Sequence, residues 1–393
     1  MSNQSVVRAV VALCFAIAVL EGFDIQALGV AAPKLAPEFG LSPAQMGWVF
    51  TCGSLGLVLG SALGGRIADR WGRRPTLIAA VLCFGVFTLA TTLAHNGLSL
   101  LILRALAGLG FGAAQPNMIA IAADISAARR RSFITAAMAC GMPMGGGASA
   151  LLTQLVAPGY DWRLLFIVGG TLPLLVVPLL LRYLPETLPA LAVERGRQDI
   201  VNILFGEGRA VPTVLLGVLF FLALSILYLV LNWLPTLVVG KGLSKAVAPQ
   251  ASMAFNFASV AGALLLGRAV DRWGVRWTMP VTFAGLMVAL LGLSAASGIV
   301  QILFWSAAAG FLLLGAVYAL YGVAAGYYPS AIRGAGAGVI VAIGRTGSVV
   351  GPLVAGLMLS AGATPDRVLV YLAPVAAVTA LVVLALTFFR NAD

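Results

Sequence analysis

The feature that most constrains this chain is a succession of twelve apolar stretches separated by short junctions that carry nearly all of the charge. A transmembrane helix needs about 20 apolar residues to cross a bilayer, and each stretch is close to that length. The stretches cover residues 8–31, 45–65, 75–94, 98–122, 132–156, 163–183, 211–238, 250–267, 277–296, 299–325, 335–360 and 367–389. The sequence therefore predicts an all-α membrane protein with twelve transmembrane helices.

The composition excludes most soluble functions. Of the 393 residues, 61% are hydrophobic and only 9% are charged, whereas a soluble domain carries about 25% charged residues. We therefore expect neither a nucleic-acid-binding protein nor an enzyme, despite the net charge of +11. The four cysteines lie in apolar runs without paired spacing, so we expect no disulfide framework and no metal site. Nothing in the sequence requires a cofactor.

The distribution of Lys and Arg predicts the orientation in the membrane. With a cytoplasmic N-terminus, 17 of the 24 basic residues fall in cytoplasmic junctions and 5 in outer junctions, which is the asymmetry of the positive-inside rule. We therefore expect a multi-pass protein of a bacterial-type inner membrane with both termini cytoplasmic. The excess of basic residues is therefore explained by membrane topology, and no anionic binding partner is required to explain it.

The two halves of the chain are related to each other. At an offset of 202 residues, Asp69-Arg70-Trp71-Gly72 aligns without a gap with Asp271-Arg272-Trp273-Gly274, and Gly40-Leu41-Ser42 aligns with Gly242-Leu243-Ser244. Such duplicated halves are typical of secondary transporters, whose substrate site lies near the bilayer midplane at the interface of the repeats. The predicted parts are a six-helix bundle over 1–184, a cytoplasmic linker over 185–210 and a second six-helix bundle over 211–393.

The segment 64–74, after the second stretch, resembles the signature of the major facilitator superfamily, and 267–276 is a weaker copy in which Val275 replaces one basic residue. The resemblance implies the major facilitator fold. An Asp there can accept hydrogen bonds from a helix N-terminus and from Arg, so we expect these loops to latch the halves on the cytoplasmic side. The alternative is loop charge that only fixes topology. The residues assigned to gating are Gly65, Asp69, Arg70, Gly72, Arg73, Arg74, Asp271, Arg272 and Arg333.

Two acidic residues lie deep within a predicted span. Glu21 and Asp24 are three residues apart, so their carboxyl groups share one helix face near the bilayer centre. A charge at this depth costs at least about 2.5 kcal/mol, and two carboxylates so close are not expected to ionise together. We therefore predict that one of them carries a proton that couples to transport. The alternative is an acid neutralised by a fixed Arg for stability.

The run Glu21-Gly22-Phe23-Asp24 resembles the acidic-Gly-x-Asp motif in the first span of the aromatic acid:proton symporters, although that family usually begins the motif with Asp. With 25–27 and 232–235, it is similar to the branch that carries 3-(3-hydroxyphenyl)propionate and related phenylpropionates. The resemblance implies uptake of a small aromatic carboxylate, such as a hydroxyphenylpropionate or hydroxybenzoate, coupled to protons. That acid, protons and lipid are the expected partners, and a monomer is the expected state.

Two arginines also lie within predicted spans. Arg104 opens a glycine-rich run in the fourth span, and the resemblance links it to proton transfer and to a partner in the first span. The alternative for Arg104 is snorkelling to the outer interface. Arg345 lies near mid-depth in the eleventh span, where a buried guanidinium needs an anion. We expect Arg345 to bind the substrate carboxylate, with a static ion pair as the alternative.

Aromatic and amide side chains are candidates for the rest of a pocket. A benzene ring would stack on aromatic residues, and amides would meet ring hydroxyls. The alternative for each residue is helix packing. The candidates are Phe23, Gln26, Gln115, Asn117, Tyr228, Asn232, Trp233, Asn256, Tyr318 and Tyr321.

A second functional hypothesis comes from the fifth span. The run 141–146 resembles the Gly/Pro-rich motif of drug:proton antiporters, although Met142 stands where that motif usually has Gly before the Pro. This keeps open the proton-driven efflux of amphipathic drugs. The alternative is a kink or a helix contact, for which Gly/Pro clusters are equally suited.

Overall fold

A computed structural model describes residues 3–125, 131–156, 159, 161–186, 204–206, 208–328 and 333–389. Twelve α-helices lie in these ranges, and a short 3-10 turn over Thr91–Leu93 follows the third of them. The helices are α1 (Asn3–Glu38), α2 (Pro43–Trp71), α3 (Arg73–Ala90), α4 (Gly97–Asp124), α5 (Arg131–Val156), α6 (Arg163–Tyr183), α7 (Ala210–Gly240), α8 (Val247–Trp273), α9 (Val275–Ala295), α10 (Ile299–Gly326), α11 (Arg333–Ser360) and α12 (Pro365–Thr387). The predicted all-α fold with twelve long helices is confirmed.

Most helices extend beyond the apolar stretches that predicted them, whereas α6 has the predicted bounds and α3, α9 and α12 end earlier than predicted. Eleven helices in the described part of the chain, all except α5, are long and apolar enough by length and composition to cross a membrane. Local sequence signals set the ends. Ser42 accepts a hydrogen bond from the backbone of Gln45, whose side chain accepts one from the backbone of Ser42, and this reciprocal cap starts α2.

The chain divides into two compact units, Met1–Glu194 and Arg195–Asp393. In the first unit α1 packs on α5, α2 on α4, and α3 on both α4 and α6. In the second unit α7 packs on α11, α8 on α10, and α9 on both α10 and α12. The internal repeat of the sequence is therefore also a repeat of helix packing. Most of the predicted linker, 185–210, lies outside the described residues.

Glycines at corresponding positions turn the chain in both units. Gly40 and Gly72 have positive φ values of 61° and 99°, and Gly242 and Gly274 follow them at the offset of 202 residues with 85° and 78°. Residues with a Cβ rarely adopt this conformation, because the Cβ crowds the neighbouring carbonyl oxygen. The repeat therefore preserves the corners as well as the helices.

The signature segment is mostly helical, which corrects the expectation that it forms a loop. The helix α2 continues to Trp71 and α3 begins at Arg73, so Gly72 alone separates them. The N–H of Gly72 donates to the carbonyl of Ala68 and closes the last turn of α2. Helical hydrogen bonding continues beyond the apolar part of the span because polar residues at its end sustain a helix equally well.

Candidate functional site

The buried charges of the first unit form an ion pair. Nη1 of Arg104, in α4, lies 3.0 Å from Oδ2 of Asp24, in α1. Their side chains are only 4% and 1% exposed. Arg104 therefore points into the unit and pairs with the first helix, and it does not snorkel towards an interface.

Three further groups hold the guanidinium of Arg104. Nη2 lies 2.5 Å from the hydroxyl oxygen of Thr91 and 3.4 Å from the carbonyl oxygen of Phe87. The Cζ atom lies 5.0 Å from the centroid of the Phe166 ring, in the range of a cation–π contact. Thr91 and Phe166 were not predicted from the sequence, since neither carries charge and neither belongs to a motif.

Glu21 is buried one helical turn before Asp24 on the same side of α1. Between them, Gly22 lies against α5 so closely that a Cβ would overlap the backbone of Met142. Gly145 makes the matching contact from α5, against the backbone of Val19 and Phe23. The Gly/Pro run therefore forms a helix contact, as the alternative interpretation predicted. This contact packs the acidic turn of α1 closely against α5.

The pocket candidates of the first unit are engaged mainly in packing. The ring of Phe23 lies against Gly169 in α6, where a Cβ would be 3.3 Å from it. The amide of Gln26 lies against Gly146, and Gln115 is partly buried. Asn117 donates to the carbonyl oxygens of Ala113 and Gly64, at 2.8 and 3.4 Å, and so joins α4 to α2.

An aromatic and cationic cluster lies in the second unit. The ring of Tyr321, in α10, meets Phe220 of α7 edge-on at 5.4 Å and lies 6.5 Å from the ring of Tyr318. Arg345, in α11, lies close enough to Tyr321 for its charge to act on that side chain. Tyr321 is 37% exposed, and Tyr318 and Arg345 are partly buried. Three helices thus bring aromatic rings and a guanidinium close to one another.

The other candidates of the second unit use their donors within it. The Asn232 amide donates to the carbonyl oxygen of Tyr228 at 2.7 Å, and the Asn256 amide donates to that of Ser252 at 2.8 Å. The Trp233 indole N–H donates to the carbonyl oxygen of Pro352 at 2.9 Å. Tyr228 is partly buried. The two amide contacts join successive turns of one helix, and the indole contact joins α7 to α11. Asn232, Trp233 and Asn256 therefore serve helix packing, which was the alternative to a role in the pocket.

The predicted gating residues fall into two groups. Arg73 forms an ion pair with Asp124, at the end of α4. Arg74 donates from Nη2 to the carbonyl oxygen of Leu181 at 2.5 Å, and its backbone N–H lies 3.4 Å from Oε1 of Glu186. These contacts tie α3 to the ends of α4 and α6. Sequence reasoning missed Asp124 and Glu186, although acids at helix ends beside a basic segment are a usable signal.

The second group is solvent-accessible. Asp69 and Arg70 are exposed at the end of α2, and Asp271 and Arg272 are exposed at the end of α8. A Cβ at Gly65 would meet nothing within 4 Å in the described part of the chain. The Arg272 guanidinium lies over the Trp273 ring at 5.7 Å. The side chain of Arg333 lies outside the described residues.

The sequence profile of the Major Facilitator Superfamily matches residues 14–256 and 242–393 of this chain. The chain belongs to this superfamily. The match covers both halves, as the internal repeat predicts, and it confirms the resemblance carried by the signature segment. As a member of the superfamily the protein is a membrane transporter and not an enzyme.

Individual facilitators are similar over nearly the whole chain. The 3-(3-hydroxy-phenyl)propionate transporter of Escherichia coli (strain K12) is 37% identical over 99% of this chain and 96% of its own length. The gallate transporter of Pseudomonas putida is 33% identical over 90% of this chain and 86% of its own length. The xylose transporter XylE from E. coli superposes with a TM-score of 0.76 at 18% identity, over 95% of this chain and 98% of that one. The major facilitator fold is thereby confirmed.

Proposed function

We propose that this facilitator imports a small aromatic carboxylate together with a proton. The observation that carries the proposal is the buried pair of Asp24 and Arg104, with Glu21 one turn away on the same helix. Protonation of either acid changes the net charge of this buried place by one unit. Intramembrane acids that face the protein interior are typical of proton pathways, and two relatives named as aromatic acid transporters support the substrate class.

The second unit supplies the chemistry that such a substrate needs. A guanidinium can bind a carboxylate with two parallel hydrogen bonds, and aromatic side chains can stack on a benzene ring. Arg345 and Tyr321 offer both at neighbouring positions. We assign the carboxylate to Arg345 and the ring to Tyr318 and Tyr321, while the buried Phe220 supports the Tyr321 ring from α7.

In the proposed cycle the carrier faces outward, the Glu21/Asp24 site takes a proton, and the acid binds at Arg345. Alternating access then opens the site to the cytoplasm, where the lower proton and substrate concentrations release both. Because one proton and one carboxylate cross together without net charge, the pH difference drives the step and supplies about 1.4 kcal/mol per pH unit. We place the protein in a bacterial-type inner membrane with both termini cytoplasmic, so that the signature segment and its copy act as a cytoplasmic latch.

Drug efflux, the second hypothesis, is not proposed. It rested on the Gly/Pro run of the fifth span, which the structure shows as the contact surface of α5 with α1. The two relatives described above that are at least 30% identical are named for 3-(3-hydroxy-phenyl)propionate and gallate, and neither name refers to a drug.

The test is uptake of radiolabelled benzoates, phenylacetates and phenylpropionates into proteoliposomes with an imposed pH gradient. We expect saturable accumulation of at least one acid when the interior is alkaline, and its loss when a protonophore is added. Empty liposomes and Asp24→Asn protein are the controls. Accumulation that is indifferent to the pH gradient, or export of amphipathic cations with no uptake of any acid, would contradict the proposal.

A further inference from the structure

The contacts of Arg104 differ in how they respond to a proton. Nη1 faces Asp24, whose charge changes on protonation, while Nη2 faces Thr91 and the carbonyl of Phe87, whose charges do not. The Phe166 ring covers the guanidinium from α6. Among the described residues, the ionisable groups at this place are Glu21 and Asp24 of α1 and Arg104 of α4. The uncharged groups are the Phe87 carbonyl and the Thr88 hydroxyl of α3, the Thr91 hydroxyl and the Phe166 ring.

A guanidinium cannot give up its own proton in a protein. When Asp24 becomes neutral, Arg104 therefore remains a cation that has lost the charge of its partner in a region of low dielectric. A long, flexible side chain in that position would turn towards another anion unless its other contacts hold it. Arg104 has such contacts, and they are independent of protonation.

The groups that hold Arg104 are themselves fixed. The Thr91 hydroxyl donates to the Phe87 carbonyl at 2.8 Å, which leaves its oxygen lone pairs available to the guanidinium. Phe166 is 0% exposed and meets the Trp162 ring edge-on at 5.6 Å. The Trp162 indole donates to Oε2 of Glu38 at the end of α1. The Phe166 ring is thereby anchored to the same helix that carries Asp24.

We propose that Thr91 and Phe166 are positioning residues that keep the Arg104 guanidinium in place while Asp24 is protonated. The proposal rests on the proton site of the proposed function. Its consequence is that Arg104 is already in position to stabilise the Asp24 carboxylate when the proton leaves. Loss of either positioning residue should therefore slow the proton-coupled cycle more than it weakens substrate binding.

The first test is thermal unfolding in detergent and needs no transport. Asp24→Asn imitates the neutral acid, so in that background Thr91 and Phe166 hold Arg104 alone. We expect Asp24→Asn/Phe166→Leu to melt at least about 2 °C below the value expected from the two single variants added together. Asp24→Asn/Thr91→Val should also melt below the additive value, whereas Asp24→Asn/Thr91→Ser, which keeps the hydroxyl, should melt at the additive value. The matched control is Asp24→Asn/Phe84→Leu, because Phe84 is equally buried but stacks on Phe111.

Two outcomes of this test would overturn the proposal. Additive effects of Phe166→Leu and Thr91→Val with Asp24→Asn would mean that these residues only fill space. Non-additivity that persists after Arg104→Met would mean that they act on Asp24 directly and not through Arg104.

The second test is transport by the single variants. We expect Thr91→Val and Phe166→Leu to lower the maximal rate of proton-driven uptake about tenfold, as the loss of a buried cation contact predicts, with less than about a twofold change in KM. Thr91→Ser should restore the rate, and Thr153→Val, which removes a buried hydroxyl that bonds within α5, should leave it unchanged. Unaltered rates in both variants would contradict the proposal. If the parent protein shows no proton-driven uptake, the proposed function fails, while the unfolding test still decides whether Thr91 and Phe166 hold Arg104.

Discussion

Gly22 of α1 lies directly against Met142 of α5, at a distance that leaves no room for a Cβ. Gly22 lies between Glu21 and Asp24, so a close contact of α1 with α5 coincides with the acidic turn of α1. Small residues at such contacts let two helix backbones approach in a membrane. The acidic turn is thereby placed on a closely packed pair of helices.

Gly22→Ala is expected to destabilise the protein, since a methyl group would have to displace the backbone of α5. Overpacking of this kind costs typically about 1–3 kcal/mol, and it should lower the melting temperature in detergent and slow uptake. Gly338→Ala is the control, because this helical glycine of α11 has nothing within 4 Å of a Cβ in the described part of the chain. A melting temperature for Gly22→Ala equal to that of the control would show that α1 and α5 do not meet as described.

The Asp69→Asn variant tests the latch at the end of α2. Asp69 is exposed and its loss should leave the pocket intact, so we expect unchanged substrate affinity and a several-fold slower turnover. Equilibrium binding and uptake should be measured on the same preparation. Asp161→Asn, which removes an exposed acid of a salt bridge with Arg163 at the start of α6, should change neither quantity. Normal turnover of Asp69→Asn would reduce the signature segment to a topology signal.

The assignment of the substrate carboxylate to Arg345 is tested with an acid and its amide. Removing the guanidinium leaves the anion unpaired in a low dielectric, so Arg345→Ala should weaken binding of the acid about 100-fold or more. Arg345→Lys keeps the charge but loses the planar fork and should not rescue binding. The amide should bind the parent poorly and lose little in Arg345→Ala.

The measurement is competition binding of both ligands to parent and variant proteins. Arg276→Ala is the control, because this guanidinium lies over Trp277 and Phe388 at the surface of the second unit. An equal loss of affinity for acid and amide in Arg345→Ala would mean that Arg345 holds helices together and does not bind the carboxylate.

The fold could be predicted from the sequence because hydropathy and the repeat act over many residues. The helix ends could not, since α2 continues through polar residues to Trp71 and only Gly72 interrupts it. Hydropathy detects the part of a helix that faces lipid, whereas hydrogen bonding and caps decide where the helix stops. The position of Gly72 at a corner is indicated by its copy, Gly274, at the offset of 202 residues.

The site was predictable to the extent that it carries charge. Asp24 and Arg104 attract attention because ionisable groups are rare in membrane spans, and the structure brings them together. Thr91 and Phe166 resemble ordinary span residues, and only the packing of α3 on α4, and of α6 on α3 and α1, gives them a role. The amide of Asn232, in contrast, appeared suited to a pocket but bonds to its own helix, which is a common alternative for short polar side chains.

Glu21 and Asp24 are both expected to matter more for accumulation of substrate than for its exchange. Asp24→Asn and Glu21→Gln remove titratable groups, so each variant should lose accumulation against a gradient or its dependence on pH. Exchange of labelled for unlabelled substrate needs no net proton movement and should survive better than accumulation. If both variants still concentrate substrate with the pH profile of the parent, the proton is carried elsewhere.

Proton movement driven by substrate alone tests the central claim most directly. Proteoliposomes without an imposed pH gradient receive a transported aromatic acid, and a pH electrode follows the lightly buffered external medium. The account predicts that the medium becomes more alkaline with the parent protein, as protons enter with the acid, and that Asp24→Asn abolishes the signal. Substrate entry by the parent without alkalinisation, or an undiminished signal in Asp24→Asn, would contradict it.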